Sequence, residues 1–176
     1  MDVDLVADVA ALRPDWHFVM IGPVVKIDPA SLPRRDNIHW LGSKDYKDLP
    51  KYLSGWDVGF MNFALNEATR FISPTKTPEF LAAGVPVVST PITDVVRPYG
   101  EKGLVEIAKT PLEVVRKVEA LLDRPKDPWL QRVDRHLASG SWDKTWASMN
   151  KLITDAMDGA DRAPATLPVY ATTPAE

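Results

Sequence analysis

The chain has 176 residues, a formal net charge of −3, 45% hydrophobic and 26% charged residues, and no cysteine. This size and composition are typical of one soluble globular domain or slightly more. The lack of cysteine excludes disulfides, thiolate metal sites and cysteine nucleophiles. The net charge argues against a nucleic-acid partner. No apolar run reaches the roughly 20 residues of a transmembrane segment, and the acidic N-terminus is not a signal peptide.

Helical and strand-like patterns alternate through the first part of the chain. A 3.6-residue period predicts a helix over 3–12, and short apolar or β-branched runs predict strands. The predicted strands are 16–21, 38–41, 57–63, 86–90 and 103–108. Two short helices are expected between them, one over 46–56 that Pro50 should bend or break and one over 78–83 that Gly84 should end.

The pattern becomes helical from residue 110 onward, where Thr110 is the expected N-cap and Pro111 the first helical residue. Two further amphipathic helices are predicted over 127–139 and 141–157. A tail over 158–176, rich in Pro, Ala and Thr, is expected to be mobile.

Strands that alternate with helices predict an α/β fold with a Rossmann-like parallel sheet, flanked by helices and joined by right-handed crossovers. Such a domain normally opens with a strand, whereas this chain opens in a helix. We therefore expect the sheet to lack its first strand. The unpaired position this leaves favours strand addition by another chain or a homodimer through the unpaired sheet edge.

Ligands of open parallel sheets bind beyond the carboxyl ends of the strands. The residues in these places are Gly22, Pro23, Leu41, Gly42, the segment 89–91 (Ser-Thr-Pro) and the long loop after the third strand. That loop carries polar and basic side chains and leads directly into a helix; they are Asn66, Arg70, Ser73, Thr75 and Lys76. Hydroxyls, helix amides and two cations together predict a phosphate site.

Lys76 lies where the helix should begin, and a cation there is unfavourable by roughly 0.3–1 kcal/mol. Either Lys76 points into water or a bound anion offsets this cost. Glu79 lies three residues on and would share a helix face with Lys76, where its carboxylate could accept hydrogen bonds from a vicinal diol such as a ribose. The alternatives are that Glu79 only suits the helix dipole and that Arg70 is a solvated loop charge.

Other chemistry has less support in the sequence. His17 and His39 fall in predicted strands and are interpreted as structural, and no histidine pair has metal-ligand spacing. The Gly-rich phosphate loops of P-loop and dinucleotide-binding proteins are absent. Neither Ser73 nor Ser89 has a neighbouring base in sequence, so a serine nucleophile is unsupported.

Residues 73–92, SPTKTPEFLAAGVPVVSTPI, resemble the donor-site signature of retaining GT-B glycosyltransferases that use nucleotide sugars, the group 1 type. The matching residues are Pro74, Lys76, Glu79, Phe80, Leu81, Ala82, Ala83, Gly84, Pro86, Val87 and Val88. The segments around 18–24, 37–63 and 141–146 resemble the same half-enzyme. The likeness runs over roughly residues 3–155 and implies the C-terminal, donor-binding half of a GT-B fold.

This resemblance implies roles for the residues at the sheet edge. Glu79 would hold the ribose hydroxyls, and Lys76 would lie near the diphosphate. The backbone at Leu41 and Gly42 would meet the base, while Gly22 and Pro23 would line the donor cleft. The donor would be a UDP- or GDP-sugar, with no cofactor and no metal, because positive side chains and helix amides stabilise the leaving group.

Three departures from the family pattern stand out. Phe71 occupies a position that is acidic in many relatives, which puts a contact to the transferred sugar in question. Pro78 inside the motif should delay the helix start and could move Lys76 off the face of Glu79. The acceptor-binding N-terminal domain of such enzymes has no counterpart in these 176 residues.

The sequence therefore predicts a nucleotide-sugar-binding domain over 1–157, the donor half of a glycosyltransferase of polysaccharide biosynthesis. Its acceptor would be a glycan or a lipid-linked sugar, and its location cytoplasmic or peripheral at the inner membrane. Without the N-terminal domain or a partner chain, the isolated chain is expected to be inactive. The alternative is a stand-alone nucleotide-sugar-binding or interaction module without catalysis.

Overall fold

The computed structural model describes residues 1–25 and 27–160. The strands are β1 (Phe18–Met20), β2 (Ile38–Trp40), β3 (Gly59–Met61), β4 (Val87–Ser89) and β5 (Glu106–Ile107). The helices are α1 (Val3–Leu12), α2 (Leu49–Leu53), α3 (Lys76–Ala82), α4 (Thr93–Val95), α5 (Pro111–Asp123), α6 (Lys126–Ala138) and α7 (Trp142–Ala160).

All strand pairs are parallel, as the α/β pattern predicted. β1 pairs with β2, and β4 lies between β3 and β5 in a second, three-stranded sheet. The predicted fold class, a parallel sheet flanked by helices, is confirmed. The carboxyl ends of β3 and β4 lie at one edge, since Met61 and Ser89 are in register.

Apolar residues cover both faces of the three-stranded sheet. On one face α1 and α5 pack around Val88, and on the other α3 and α6 pack around Val87. Successive strand residues point to opposite faces, so β4 needs apolar side chains at neighbouring positions. The buried aromatic Trp129 of α6 completes the second face and donates its indole N–H to the carbonyl of Leu104 at 3.0 Å.

The strands are shorter than the apolar runs that predicted them. Trp16 belongs to a turn, because its N–H donates to the carbonyl of Arg13 and the Arg13 guanidinium lies 4.2 Å above its ring. Gly103 takes a φ of +65° and begins no strand, so β5 keeps only two of the six predicted residues.

Both prolines that were expected to disturb helices lie in first turns. Pro50 is at the start of α2, and α3 begins at Lys76 with Pro78 third in the helix. The first N–H groups of a helix have no intrahelical acceptor, so a proline there costs no hydrogen bond. The expectation that Pro78 would delay the helix was wrong, and so was the predicted helix start at residue 78.

The chain divides into two compact units, Met1–Leu137 and Ala138–Glu176. The predicted end of the domain at residue 157 stays a prediction. Residues 158–160 of the expected tail belong to α7, and 161–176 lie outside the described residues. No helix among the described residues is long and apolar enough to cross a membrane.

Candidate functional site

Glycines end both strands of the β1–β2 pair at the carboxyl edge. Gly22 and Gly42 have φ values of +140° and +64°, which other residues rarely adopt. The N–H of Gly22 donates to the carbonyl of Gly42 at 3.0 Å. The turn predicted to line the donor cleft is therefore joined directly to the turn predicted to meet the base, with Pro23 and Leu41 exposed beside them.

The loop after β3 is held by its own hydrogen bonds. Asn66 caps a short 3₁₀ turn over Glu67–Thr69, and its side chain accepts the N–H of Thr69 at 3.1 Å. The hydroxyl of Thr69 in turn donates to the carbonyl of Ala64. These hydrogen bonds fix the polar loop in which the sequence predicts a phosphate site, and they present Arg70 on the surface.

The Arg70 side chain has two local contacts. Its guanidinium lies 3.8 Å from a carboxylate oxygen of Glu67 and 5.1 Å from the ring centre of Phe71. All three side chains are exposed, so the ion pair is weak, on the order of 0–1 kcal/mol. Such a pair can open to accept an anionic ligand at little cost.

Helix α3 has one buried face and one exposed, charged face. Thr77 and Leu81, four residues apart, are buried, and the Thr77 hydroxyl contacts the sulfur of Met61 at 3.5 Å. Lys76 and Glu79 lie on the exposed side, where the Lys76 ammonium donates to Glu79 Oε2 at 2.8 Å. The predicted shared face is present, and both groups are open to solvent.

An open cleft of about 360 Å³ lies where the loops after β3 and β4 meet. It is lined by Leu65, Asn66, Glu67, Thr69, Arg70, Pro91, Ile92 and Thr93. Two predicted site residues, Asn66 and Arg70, are brought together here. The other predicted positions of the same loop, Ser73, Pro74 and Thr75, precede α3 and do not line this cleft.

Sequence reasoning noted the end of β4 but missed Thr93 as a cleft residue. The buried Thr90, which directly precedes the cleft residue Pro91, donates its hydroxyl to the carbonyl of Phe63 at 2.9 Å and so ties the two loops together. The signal in the sequence was Ser-Thr-Pro directly after an apolar strand, a position that ligand-binding loops commonly occupy.

The described residues offer polar and charged groups for recognition and little for covalent chemistry. They contain no group of three or more His, Asp or Glu side chains that could hold a metal ion. His17 and His39, interpreted as structural, hydrogen bond to one another at 2.9 Å across β1 and β2. The arrangement of a cation, a carboxylate and ordered loop amides suits binding of a charged, hydroxyl-rich molecule.

Comparison with known proteins identifies the family. The model of the family Glycosyl transferases group 1 matches residues 3–124, which include every strand and α3. The chain belongs to this family. The resemblance of residues 73–92 to a glycosyltransferase signature is thereby confirmed, and the roles of the individual residues stay predictions.

One curated protein and one solved structure are similar to this member of the family. TuaH of Bacillus subtilis (strain 168), named as a candidate teichuronic acid biosynthesis glycosyltransferase, is 30% identical over 144 residues, 78% of this chain and 36% of that protein. The chain thus spans about a third of that relative's length. The C-terminal CMP-Kdo binding domain of WaaA from Acinetobacter baumannii is 15% identical, with a TM-score of 0.45, over 76% of this chain and 98% of that one.

Proposed function

We propose that this chain is the donor-binding, C-terminal half of a GT-B glycosyltransferase that takes a nucleotide diphosphate sugar. The observation that carries the proposal is the family match over 3–124 together with the charged face of α3 inside that span. In the proposed role Lys76 contacts the diphosphate and Glu79 accepts hydrogen bonds from the ribose hydroxyls.

The paired state of Lys76 and Glu79 is compatible with this role. An ammonium group has three donors and a carboxylate has two oxygens, so the pair can stay in contact while each partner also binds a ligand group. Both side chains are about half exposed, 55% and 44%. A diphosphate and a neighbouring diol are therefore within the reach of this face, and neither residue must be uncovered first.

We assign the open cleft beside Arg70 to the part of the donor that lies beyond the nucleoside. The guanidinium suits a phosphate, because it presents several N–H groups in one plane. The turns at Gly22 and Gly42, where backbone approaches without side chains, are assigned to the nucleoside and the cleft wall. Pro23, Leu41, Ser73, Pro74 and Thr75 belong to the same proposed site at the carboxyl edge.

The proposed reaction breaks the bond from the sugar anomeric carbon to the diphosphate oxygen and forms a bond to an acceptor hydroxyl oxygen. The hydroxyl proton leaves with the diphosphate or to solvent. A glycan or lipid-linked acceptor in polysaccharide biosynthesis is proposed because the relative TuaH is named for teichuronic acid biosynthesis. The proposed location is the cytoplasm, peripheral to the inner membrane.

The chain alone is proposed to bind donor without transferring sugar, since the cleft of such an enzyme needs a second wall to exclude water. A thermal-shift panel of UDP, GDP, ADP and their sugars tests donor binding. A ligand at about 100 times its Kd stabilises a protein by roughly 2.7 kcal/mol. Lys76→Ala and Glu79→Ala should lose this shift, and the nucleotide that gives the largest shift identifies the base.

Lys51→Ala is the matched control, because Lys51 and Asp48 form an exposed ion pair three residues apart at 2.7 Å, like Lys76 and Glu79. This variant should respond to the nucleotide as the parent does. If no nucleotide shifts the parent, or if all three variants respond equally, the assignment to donor binding fails.

A further inference from the structure

Helix α7, in the second compact unit, carries one exposed apolar stripe along its length. The large side chains of this stripe are between 52% and 88% exposed; they are Trp142, Trp146, Met149, Leu152, Ile153 and Met157. Single apolar residues scattered over a surface are normal, whereas a contiguous apolar patch marks an interaction site. The apolar stripe of α7 is therefore a candidate contact surface.

The opposite face of α7 is polar and forms hydrogen bonds within the helix itself. The Lys151 ammonium donates to the Asp155 carboxylate, one turn further on, at 2.6 Å. The hydroxyls of Ser148 and Thr154 donate to carbonyls four residues earlier, at 2.9 and 3.0 Å. This face suits exposure to water, so a partner of α7 belongs on the apolar stripe.

The spacing of the apolar stripe indicates that its partner is a helix. Trp142, Trp146, Met149 and Ile153 follow one another at intervals of four, three and four residues. Ala156 continues the pattern three residues later. Alternation of four and three is the heptad pattern of helices that pack side by side along their length.

Side-chain size along the apolar stripe is self-complementary when two copies of α7 run antiparallel. The stripe is bulky where α7 begins and small at Ala156. In an antiparallel pair centred on position 151, Trp146 lies opposite Ala156 of the second copy, and Met149 lies opposite Ile153. Each layer then pairs a large side chain with a small one or two of medium size, which fills space evenly. A parallel pair would set Trp146 against itself and Ala156 against itself, with crowding at one end and a void at the other.

The area of the apolar stripe matches what a stable dimer needs. A tryptophan alone can bury about 150–250 Å². With two tryptophans and four other large side chains, the stripe presents on the order of 800 Å², the share of one partner in an interface of standard size. Because both copies offer the same stripe, the contact closes on itself with two-fold symmetry.

The charges of α7 favour a protein partner over a lipid surface. Helices that lie on membranes carry many Lys and Arg residues on the polar face, which attract anionic headgroups. In α7 three aspartates outnumber two lysines; they are Asp143, Asp155, Asp158, Lys144 and Lys151. Anionic headgroups would therefore gain no net attraction from this helix.

We infer that α7 is a homodimerisation helix. The apolar stripes of two copies of the chain pack together in an antiparallel pair, with Trp146 of each copy opposite Ala156 of the other. The inference does not depend on donor binding.

Sedimentation equilibrium of the full chain at rising concentrations tests the association. The mass should rise from 19.6 kDa toward twice that value. Trp146→Ala should weaken association at least about tenfold, because a tryptophan at the centre of an interface commonly dominates its affinity. Adding Ala156→Trp to this variant exchanges the two sizes and should restore the dimer. Thr154→Ala, on the polar face, is the control and should associate as the parent does.

The lack of native cysteine allows the orientation to be tested by disulfide formation. A Met149→Cys chain mixed with an Ile153→Cys chain should form covalent dimers between unlike chains, because these positions lie opposite one another in the antiparallel pair. Either chain alone should cross-link much less. Ala147→Cys mixed with Asp155→Cys is the control, since these exposed positions have the same register but lie away from the stripe.

Several outcomes overturn the inference. A chain that stays at 19.6 kDa at every concentration would show that the stripe does not bind a second copy. A dimer that Trp146→Ala leaves intact would place the contact elsewhere. Faster cross-linking of like chains than of unlike chains would show a parallel pair, and equal cross-linking of the control chains would show random collision. A monomer that binds vesicles of anionic phospholipid through the stripe, with loss in Trp146→Ala, would assign α7 to a membrane surface.

Discussion

The ammonium group of Lys76 lies 2.8 Å from a carboxylate oxygen of Glu79 on the solvent side of α3, opposite the buried Thr77 and Leu81. The two buried residues anchor the helix to the sheet, and the two charged residues are free to meet a ligand. Stability and binding therefore depend on different residues of one short helix, and substitutions can separate them.

The first prediction separates the proposed roles of Lys76 and Glu79. Lys76→Ala should lower the affinity for UDP or GDP about tenfold or more, since a hydrogen bond to a charged group contributes about 1.5–3 kcal/mol. The affinity for the corresponding nucleoside should fall much less. Glu79→Gln should lower the affinity for nucleoside and nucleotide equally. The difference from the parent should vanish for the 2′,3′-dideoxyribose forms, which lack both hydroxyls. Isothermal titration calorimetry measures each affinity. If Lys76→Ala lowered the affinity for the nucleotide and for the nucleoside by the same factor, the assignment of Lys76 to the diphosphate would be contradicted.

The second prediction concerns the same pair without ligand. Because both side chains are about half exposed, removing either should change the free energy of unfolding by less than about 1 kcal/mol. Urea denaturation measures this change, with Lys51→Ala as the control from another exposed pair. A larger loss would mean that the α3 pair is structural, and the binding data for these variants would then need a folding correction.

The third prediction tests the close packing of β3 against α3. A Cβ added at Gly59 would lie 2.9 Å from Cδ2 of Phe80, whereas at Gly55 the nearest atom would be 3.6 Å away. Gly59→Ala should destabilise the chain by about 1–3 kcal/mol, because the Phe80 ring must move within a packed region. Gly55→Ala is the control and should be nearly neutral or slightly stabilising. Thermal unfolding of both variants checks the difference, and an equally stable Gly59→Ala would contradict the close approach.

The fourth prediction is a pH dependence at the start of α5. The N–H groups of Lys109 and Thr110 donate to Glu113 at 2.8 and 3.0 Å, and they hold the pKa of its carboxyl below the ordinary value of 4.5. A lowered folded-state pKa contributes stability above that ordinary value, and the contribution is lost as the pH falls through the folded pKa.

Glu113→Gln should therefore be less stable than the parent near pH 7, and the gap should close as the pH falls below 4.5. Urea midpoints across this range measure the gap. Asp123→Asn, at the exposed end of the same helix and outside the capping box, controls for the loss of one negative charge. A gap that stays constant with pH would show that the Glu113 carboxylate is not favoured by the fold.

The fifth prediction tests how the end of α1 is held. The side-chain amide of the buried Asn37 donates to the carbonyls of Ala10, Arg13 and Trp16 at 3.0, 3.1 and 3.0 Å. Asn37→Ala should lower the free energy of unfolding by about 1–3 kcal/mol, because buried carbonyls lose their hydrogen-bond donor. Asn37→Asp should cost more near pH 7, since a carboxylate would face three carbonyl oxygens. Equal stability of the two variants would contradict this account, and chemical denaturation measures both.

Much of the local order followed from the sequence. Thr110 and Glu113 form the capping box, with Pro111 first in α5, and Lys76 and Glu79 share one helix face. These features depend on residues three or four apart, so their spacing is enough to predict them. The parallel α/β class followed likewise from the order of apolar and helical segments.

The strand lengths and the full lining of the cleft could not be predicted in this way. Whether an apolar run such as 16–21 becomes strand depends on which neighbour supplies hydrogen bonds, and the turn at Trp16 removed part of it. The cleft is lined by Arg70 and by Thr93 from another loop. No local pattern in either segment predicts that these two loops lie side by side.

The sequence by itself determined the family, the order of elements and the charged face of α3, because these depend on residue type and short spacing. The tertiary structure decided the division of the strands into two sheets, the three hydrogen bonds of Asn37 and the contact of Gly22 with Gly42. Each of these joins backbone or side chains that are far apart along the chain. Such contacts form only when packing brings distant segments together, and no local pattern encodes that event.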